Sequence, residues 1–166
     1  MEPTLRMATN LDIETLVCIR LDFLAEVHKE KWKAAPELHA VIEESFRAYC
    51  VKHLEKELFV ALIEKEGKIL SLAFLSIQDK PANLKSPTGK LGLITNVYTH
   101  SEYRKQGHAV RALKHLIEEA QRQNVSSIKL AATKAGEPVY RKLGFQENDP
   151  AGLVEMELSF VDSFAE

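Results

Sequence analysis

The segment Tyr103-Arg104-Lys105-Gln106-Gly107-His108-Ala109 has the residue types needed to hold a phosphate, and it lies between a strand-like run and the first turn of an amphipathic helix. A helix N-terminus leaves its first amide N–H groups unpaired and carries a partial positive charge, so a loop wrapped there can grip a pyrophosphate through its backbone. Gly107 and Ala109 supply small side chains that let phosphate oxygens approach the main chain. Arg104, Lys105, His108 and Arg111, with Lys114 one turn on, add cationic groups to the amide array. Such a loop suits a phosphorylated cofactor. A glycine near a helix start and a solvated basic face are the plainer explanation of the same letters.

The elements around this loop follow from hydrophobic periodicity. Leu5 and Met7 alternate with polar neighbours in a short strand, and Thr9 followed by Asp12 has the spacing of a helix start. Leu16, Val17, Ile19, Phe23, Leu24 and Val27 form an apolar stripe of helical period, and Pro36 opens a second helix through Ile42, Phe46, Tyr49, Cys50 and Leu54. The runs Leu58–Ile63 and Ile69–Ile77, separated by a polar turn with Gly67, read as a β-hairpin. Residues 79–90 are rich in turn formers and charge and read as an exposed loop inside the domain.

Leu91–Thr99 is β-rich, and Val110, Leu113, Leu116, Ile117 and Ala120 line one face of the helix after the phosphate loop. Ser127–Ala132 supplies a further strand, which makes a βαβ unit with parallel strands and a right-handed crossover. A short helix starts at Pro138 and stops at Gly144, and residues 153–160 alternate as a terminal strand. Together these predict an α/β fold of three layers, a mixed sheet with helices on both faces, in one domain spanning residues 1–166.

Bulk properties narrow the function. A chain of 166 residues, 45% hydrophobic and 28% charged, can bury a core beneath a charged surface. Its net charge of −2 excludes a protein whose main partner is nucleic acid, since phosphate backbones demand an excess of Lys and Arg on one face. No stretch has the roughly 20 apolar residues of a membrane span, and residues 1–4 lack signal-peptide character, which predicts a cytoplasmic protein with no membrane partner. Cys18 and Cys50 both fall on apolar helix faces and are expected to be small buried hydrophobes.

Two motifs, in this order and each on a strand–helix junction, carry a family resemblance. Arg104-x-x-Gly107-x-Ala109 after a hydrophobic strand resembles the acetyl-coenzyme A motif of the GNAT superfamily of N-acetyltransferases, and Tyr140, Leu143, Gly144 and Phe145 resemble that family's downstream helix. The resemblance is strongest over residues 91–147. It implies a mostly antiparallel mixed sheet with a splayed central parallel strand pair, and acetyl-CoA as co-substrate without a metal. The splayed backbone of Val97, Tyr98 and Thr99 would pair with the pantetheine arm, and the loop residues Arg104, Lys105, Gln106, Gly107, His108 and Ala109 would hold the phosphates. Thr133 stands where many members have Asn, and its hydroxyl would replace that side-chain contact. Ala109 and His108 replace the family's more usual Gly and aliphatic residue, Gly136 replaces Ala, and Ser71 replaces a Gly in the third strand.

The resemblance implies direct attack of a neutral primary amine on the thioester in a ternary complex. The Tyr140 hydroxyl would protonate the departing thiolate, with a core tyrosine packed beside Phe145 as the alternative. A backbone N–H of Val97 or Tyr98 would polarise the carbonyl. Residues 91–99 carry no Asp or Glu to act as base, so Asn96 either positions a water or is simply a bulge residue. Residues 23–49 and the loop 79–90 would set the acceptor, a small-molecule or peptide amine. Asp22, Glu26 and His28 could attract a cationic amine or merely face solvent. Dimerisation through the sheet edge or terminal strand stays open. Two rivals remain: a non-catalytic acyl-CoA-binding module, and an S-adenosylmethionine-dependent methyltransferase, whose glycine turn would follow the first strand.

Overall fold

The computed structural model describes residues 2–148 and 156–160. Five strands form one sheet in the order β1-β2-β3-β4-β5, with β1 at Thr4–Met7, β2 at Leu58–Lys65, β3 at Lys68–Asp79, β4 at Lys90–Thr99 and β5 at Ser127–Lys129. The first four run antiparallel to their neighbours, and β4 and β5 run parallel, as a strand–helix–strand unit requires. The helices are α1 at Ile13–Val27, α2 at Lys29–Ala34, α3 at His39–His53, α4 at His108–Arg122 and α5 at Glu137–Lys142.

Alternation along the strands sorts the core onto two faces. On one face Leu58, Val60 and Leu62 of β2, Leu72 and Phe74 of β3 and Tyr98 of β4 pack beneath Leu16 and Ile19 of α1 and Cys50 of α3. On the opposite side the buried Ala112, Leu113, Leu116 and Ala120 of α4 pack over β2, β3 and β4. The three-layer expectation therefore holds. The chain divides into two compact units, residues 1–131 and residues 132–166, and all five strands belong to the first.

Several local expectations need amendment. The six-residue α2 interrupts what reads as a plain connection between two helices. Cys18 is exposed, because it lies one position off the stripe formed by Leu16, Val17 and Ile19, whereas Cys50 is buried as expected. The strand expected at 127–132 ends at Lys129. The expected terminal strand falls partly outside the described residues, at 153–155. Its described part, 156–160, is not a strand, and Met156, Leu158 and Phe160 are exposed. The loop after β3 is closed by its own hydrogen bonds, Lys80 N–H to Gly89 O at 2.7 Å and reciprocal Asn83–Ser86 bonds at 3.1 Å, as a loop within a domain should be.

The entry into α1 is fixed by a charged triad. Thr9 and Asp12 form a capping box, and Arg6 donates to both Asp12 carboxylate oxygens at 2.8 and 2.9 Å and to Glu64 at 2.7 Å, tying β1 to β2 and to the first turn. Bonding by Arg6 holds the Asp12 carboxyl below the usual carboxylate range. This stabilisation is complete above the unfolded value near pH ~4 and is lost as pH falls through the lower folded value. Asp12→Asn should therefore lower unfolding free energy at pH 7 by about 2 kcal/mol in urea titration, and lose less stability than the parent on acidification below about pH 4. Parallel acid profiles for the two chains would contradict this role.

Candidate functional site

Strand β4 is paired on both edges only at its start. Leu91, Gly92 and Leu93 face Ser127, Ile128 and Lys129 of β5, and from Ile94 to Thr99 no strand among the described residues occupies that edge. The other edge stays bonded to β3 through a bulge: Leu72 pairs with Tyr98 and Phe74 with Thr95, so β4 spends one extra residue there. Asn96 takes up the extra length with φ of 49°, a left-handed conformation that Asn tolerates better than most residues. Asn96 is thus the bulge residue, and its side-chain oxygen accepts a hydrogen bond from the Arg20 guanidinium. Beyond the bulge the buried Ser71 hydroxyl donates to Tyr98 O at 3.0 Å and lies 2.8 Å from the Thr99 hydroxyl, which stitches β3 to β4 where a glycine would leave nothing.

The loop expected to hold the phosphates begins immediately after this strand. A 3-10 turn at Ser101–Tyr103 leads to Arg104, Lys105 has φ of 61°, and Gly107 has φ of 80° as the residue before α4. A Cβ built on Gly107 meets nothing within 4 Å, so glycine is needed there for its backbone conformation and leaves open space in front of the turn. Helix α4 has no side-chain cap and no acidic residue in its first turn. Its N-terminus therefore keeps its donor capacity and positive end for something other than a side chain of α4.

The basic residues of the loop are less uniform than their letters suggest. Arg104 donates to Thr99 O at 2.9 Å and pairs with the Glu26 carboxylate, to which the Tyr98 hydroxyl also donates at 2.9 Å. Bonding by Arg104 and then Tyr98 lowers the Glu26 pKa, while burial and then Glu26 push the Tyr98 phenol up to about 12. Glu26 thus latches the end of α1 to the end of β4. Arg111 donates to Pro3 O at 3.2 Å, and Gln106 reaches Glu102 O at 3.4 Å. Lys105 is exposed and has no ion pair among the described residues.

His108 corrects the expectation of a cation. It is 6% exposed with neither ring nitrogen bonded, and burial, followed by Arg111, lowers its pKa, so the imidazole is neutral at pH 7. Ala109 follows it in the first turn of α4.

Val97, Tyr98 and Thr99, the loop 104–109 and Asn96 all lie in the first unit. Thr133 and Tyr140 belong to the second. There the Thr133 hydroxyl accepts from Gly136 N–H at 3.1 Å and starts the turn into α5. Tyr140 packs edge-on against Phe145, with ring centroids 6.0 Å apart. A Cβ on Gly136 would come within 3.3 Å of both the Thr133 hydroxyl and the Tyr140 ring, which accounts for glycine where the family more often has alanine. Burial raises the Tyr140 pKa, so the phenol stays protonated well beyond neutral pH.

Arg20 is a further residue of the site, one with no expected role. It shares the stripe of Leu16, Ile19 and Phe23, where a charge is unexpected, and that misplacement is the signal by which it could have been found. With those residues, Leu72, Phe74, Asn96 and Tyr98 it lines a cleft beside the bulge. Asp22 and His28, considered for attracting an amine, face solvent. No group of three or more His, Cys, Asp or Glu suited to a metal occurs among the described residues, and no helix among them is long and apolar enough to cross a membrane. The glycine turn follows the fourth strand of a mostly antiparallel sheet, which removes the methyltransferase rival.

Known proteins share this arrangement. A predicted acetyltransferase from Clostridium acetobutylicum, solved with acetyl-CoA, is 29% identical, with 93% of this chain and 96% of that chain covered and a TM-score of 0.75. A GCN5-related N-acetyltransferase from Ralstonia eutropha is 21% identical over 95% and 97% of the two chains, with a TM-score of 0.77. Glucosamine-6-phosphate N-acetyltransferase from Arabidopsis thaliana is 19% identical over 95% and 99%, with a TM-score of 0.62. No curated protein matches the chain. The family model described as Acetyltransferase (GNAT) family matches residues 21–145, a span that runs from α1 through the bulged β4 and the uncapped α4 to Phe145, and the chain belongs to that family.

Proposed function

We propose that this protein transfers an acetyl group from acetyl-CoA to a primary amine by direct attack in a ternary complex. The observation that carries the reading is the open edge of β4 from Ile94 to Thr99, leading straight into the uncapped N-terminus of α4. A strand edge presents unpaired amide and carbonyl groups that an extended amide-bearing arm such as pantetheine can pair with, and a helix N-terminus with glycine before it accepts a diphosphate. Val97, Tyr98 and Thr99 serve the arm. The backbone from Lys105 to Ala109 serves the phosphates, with the Lys105 ammonium as the mobile cation and the Arg104 guanidinium bracing the loop through Glu26 and Thr99. The Clostridium acetobutylicum relative, solved with acetyl-CoA, supports this choice of co-substrate.

In the reaction the amine nitrogen attacks the thioester carbon, the C–S bond breaks, and the nitrogen gives up one proton. A backbone N–H at Val97 or Tyr98 stabilises the negative oxygen of the tetrahedral intermediate. The thiolate leaves with a proton from the Tyr140 hydroxyl, which its half-buried setting keeps available. The nitrogen's proton passes to a water held beside the bulge by the Asn96 amide, whose oxygen is already committed to Arg20. From that water it reaches bulk solvent, which returns a proton to the Tyr140 phenolate and closes the cycle. Alignment of amine and carbonyl supplies most of the acceleration, since the thiolate is a good leaving group.

Release of free thiol from acetyl-CoA across a panel of amines tests the reading against a module that binds acyl-CoA without turnover. Binding with no thiol release from any amine would establish the latter. Tyr140→Phe should lower kcat by about tenfold to a hundredfold with acetyl-CoA affinity kept, toward the low end of general-acid effects. An unchanged kcat would remove the hydroxyl from the mechanism. Gly107→Ala should weaken acetyl-CoA binding by about tenfold in calorimetry, because an L-residue in the left-handed region costs about 1–2 kcal/mol and the free loop will relax away from it. Turnover should rise between pH 6 and 9 as the acceptor amine deprotonates and should not fall below pH ~10, since burial lifts the Tyr140 pKa above its ordinary value. A basic limb near pH 8 would contradict Tyr140 as the acid.

A further inference from the structure

Arg20 is a cation in an apolar setting that no anion among the described residues meets. Its guanidinium lies over the rings of Phe23 and Phe46, at 5.6 and 5.9 Å from their centroids, and among the described residues makes one hydrogen bond, to the neutral Asn96 amide oxygen. None of the ion pairs among the described residues includes it. Desolvation lowers its pKa but leaves it charged at any physiological pH. A guanidinium has five N–H donors in a fixed fork, so most of its capacity is unspent. Holding such a charge half out of water without a counter-ion destabilises the fold, and a well-packed apolar residue would serve the core better. Of its neighbours in the cleft, Leu16, Ile19, Phe23, Leu72 and Phe74 are apolar, and Asn96 and Tyr98 are the polar ones, neither of them an anion.

We propose that Arg20 is the acceptor-recognition residue, and that the acceptor is an amine that also carries a carboxylate on an apolar body, as an aliphatic or aromatic amino acid does. This rests on the transferase reading above, since the cleft borders the β4 bulge where the acetyl group is expected. One planar cationic fork, with no second cation lining the cleft, matches a carboxylate monoanion and leaves a phosphate dianion under-neutralised. The cleft is small, about 190 Å³ with the open solvent at its mouth counted, so it takes the carboxylate end while the apolar body lies along its aromatic and aliphatic rim. The same charge disfavours polyamines and aminoglycosides, whose extra ammonium groups would lie against Arg20. The Glu26 carboxylate does not offset this, because Arg104 and the Tyr98 hydroxyl already occupy it.

The test is thiol release from acetyl-CoA with matched acceptors: leucine against leucinamide and isoamylamine, phenylalanine against phenethylamine, and spermidine. The carboxylate members should lead their neutral partners by about 30-fold or more in kcat/KM, the effect of one charge-assisted pair, with spermidine last. Arg20→Met should abolish that lead by raising KM for the acids, keep acetyl-CoA affinity, and melt no lower than the parent. Arg20→Lys should keep part of the lead, since it retains the charge and loses the fork. As a measurement independent of the variants' folding, N-acetylleucine should bind the unaltered protein in the presence of CoA more tightly than N-acetylleucinamide.

Turnover without a carboxylate preference, or equal affinity for the two acetylated products, overturns the proposal and leaves the transferase reading intact. So does an Arg20→Met variant that loses stability and slows every acceptor alike, which would mark Arg20 as a brace for the bulge. Failure of acetyl-CoA to bind, or binding with no thiol release from any acceptor, overturns the transferase reading, and this proposal with it.

Discussion

The parting of β4 from β5 after three residue pairs is the constraint on which the rest depends. A strand inside a sheet has its amides and carbonyls consumed on both sides, and one that loses a neighbour midway must find other partners or face water. Beyond that point β4 carries an extra residue at Asn96 and is held to β3 by the Ser71 hydroxyl. Residues 94–99 thus have one edge that no strand among the described residues covers, and they sit on a rigid element. That is more accurate placement than a loop could give.

The polar contacts around this edge have distinct jobs. Glu26 draws in Arg104 and Tyr98, so the end of α1 is tied to the end of β4 and to the start of the loop that follows it. Arg104 is a basic residue of the motif whose observed contacts are architectural, through Thr99 O and Glu26, while the space before Gly107 is open and the first turn of α4 has no side-chain cap. Burial makes His108 part of the packing beneath the helix and keeps it neutral. Charge near an anion site therefore cannot be counted from letters alone. Arg20 is the contrasting case, a cation in an apolar setting that meets no carboxylate among the described residues.

Most of the architecture was legible because it depends on period and punctuation. The stripe of α4, with Leu113, Leu116 and Ala120 buried, the hairpin across Gly67, and the Pro36 start of the turn into α3 are local signals that packing did not override. What escaped depends on contacts distant in sequence. Arg104 meets Glu26 across 78 positions and Arg20 meets Asn96 across 76, so neither partner could be named in advance. Cys18 was misplaced because an apolar letter beside a stripe was counted within it. The strand expected through 127–132 stops at Lys129, since alternation cannot say where a neighbour ceases to be available for pairing. For Asn96 both readings were held open, and its φ of 49° identifies the bulge.

The central claim is that coenzyme A lies along the free edge of β4 with its diphosphate on the turn before α4. Titration of the isotopically labelled protein with coenzyme A, followed by backbone amide NMR, tests it most directly. The account predicts that the amides of Val97, Tyr98 and Thr99 and those from Lys105 to Val110 move first and furthest, with the Gly107 amide shifted strongly downfield by the phosphate. Saturable binding that leaves these amides in place and moves those of another face, such as α3 or the loop 79–90, would contradict it.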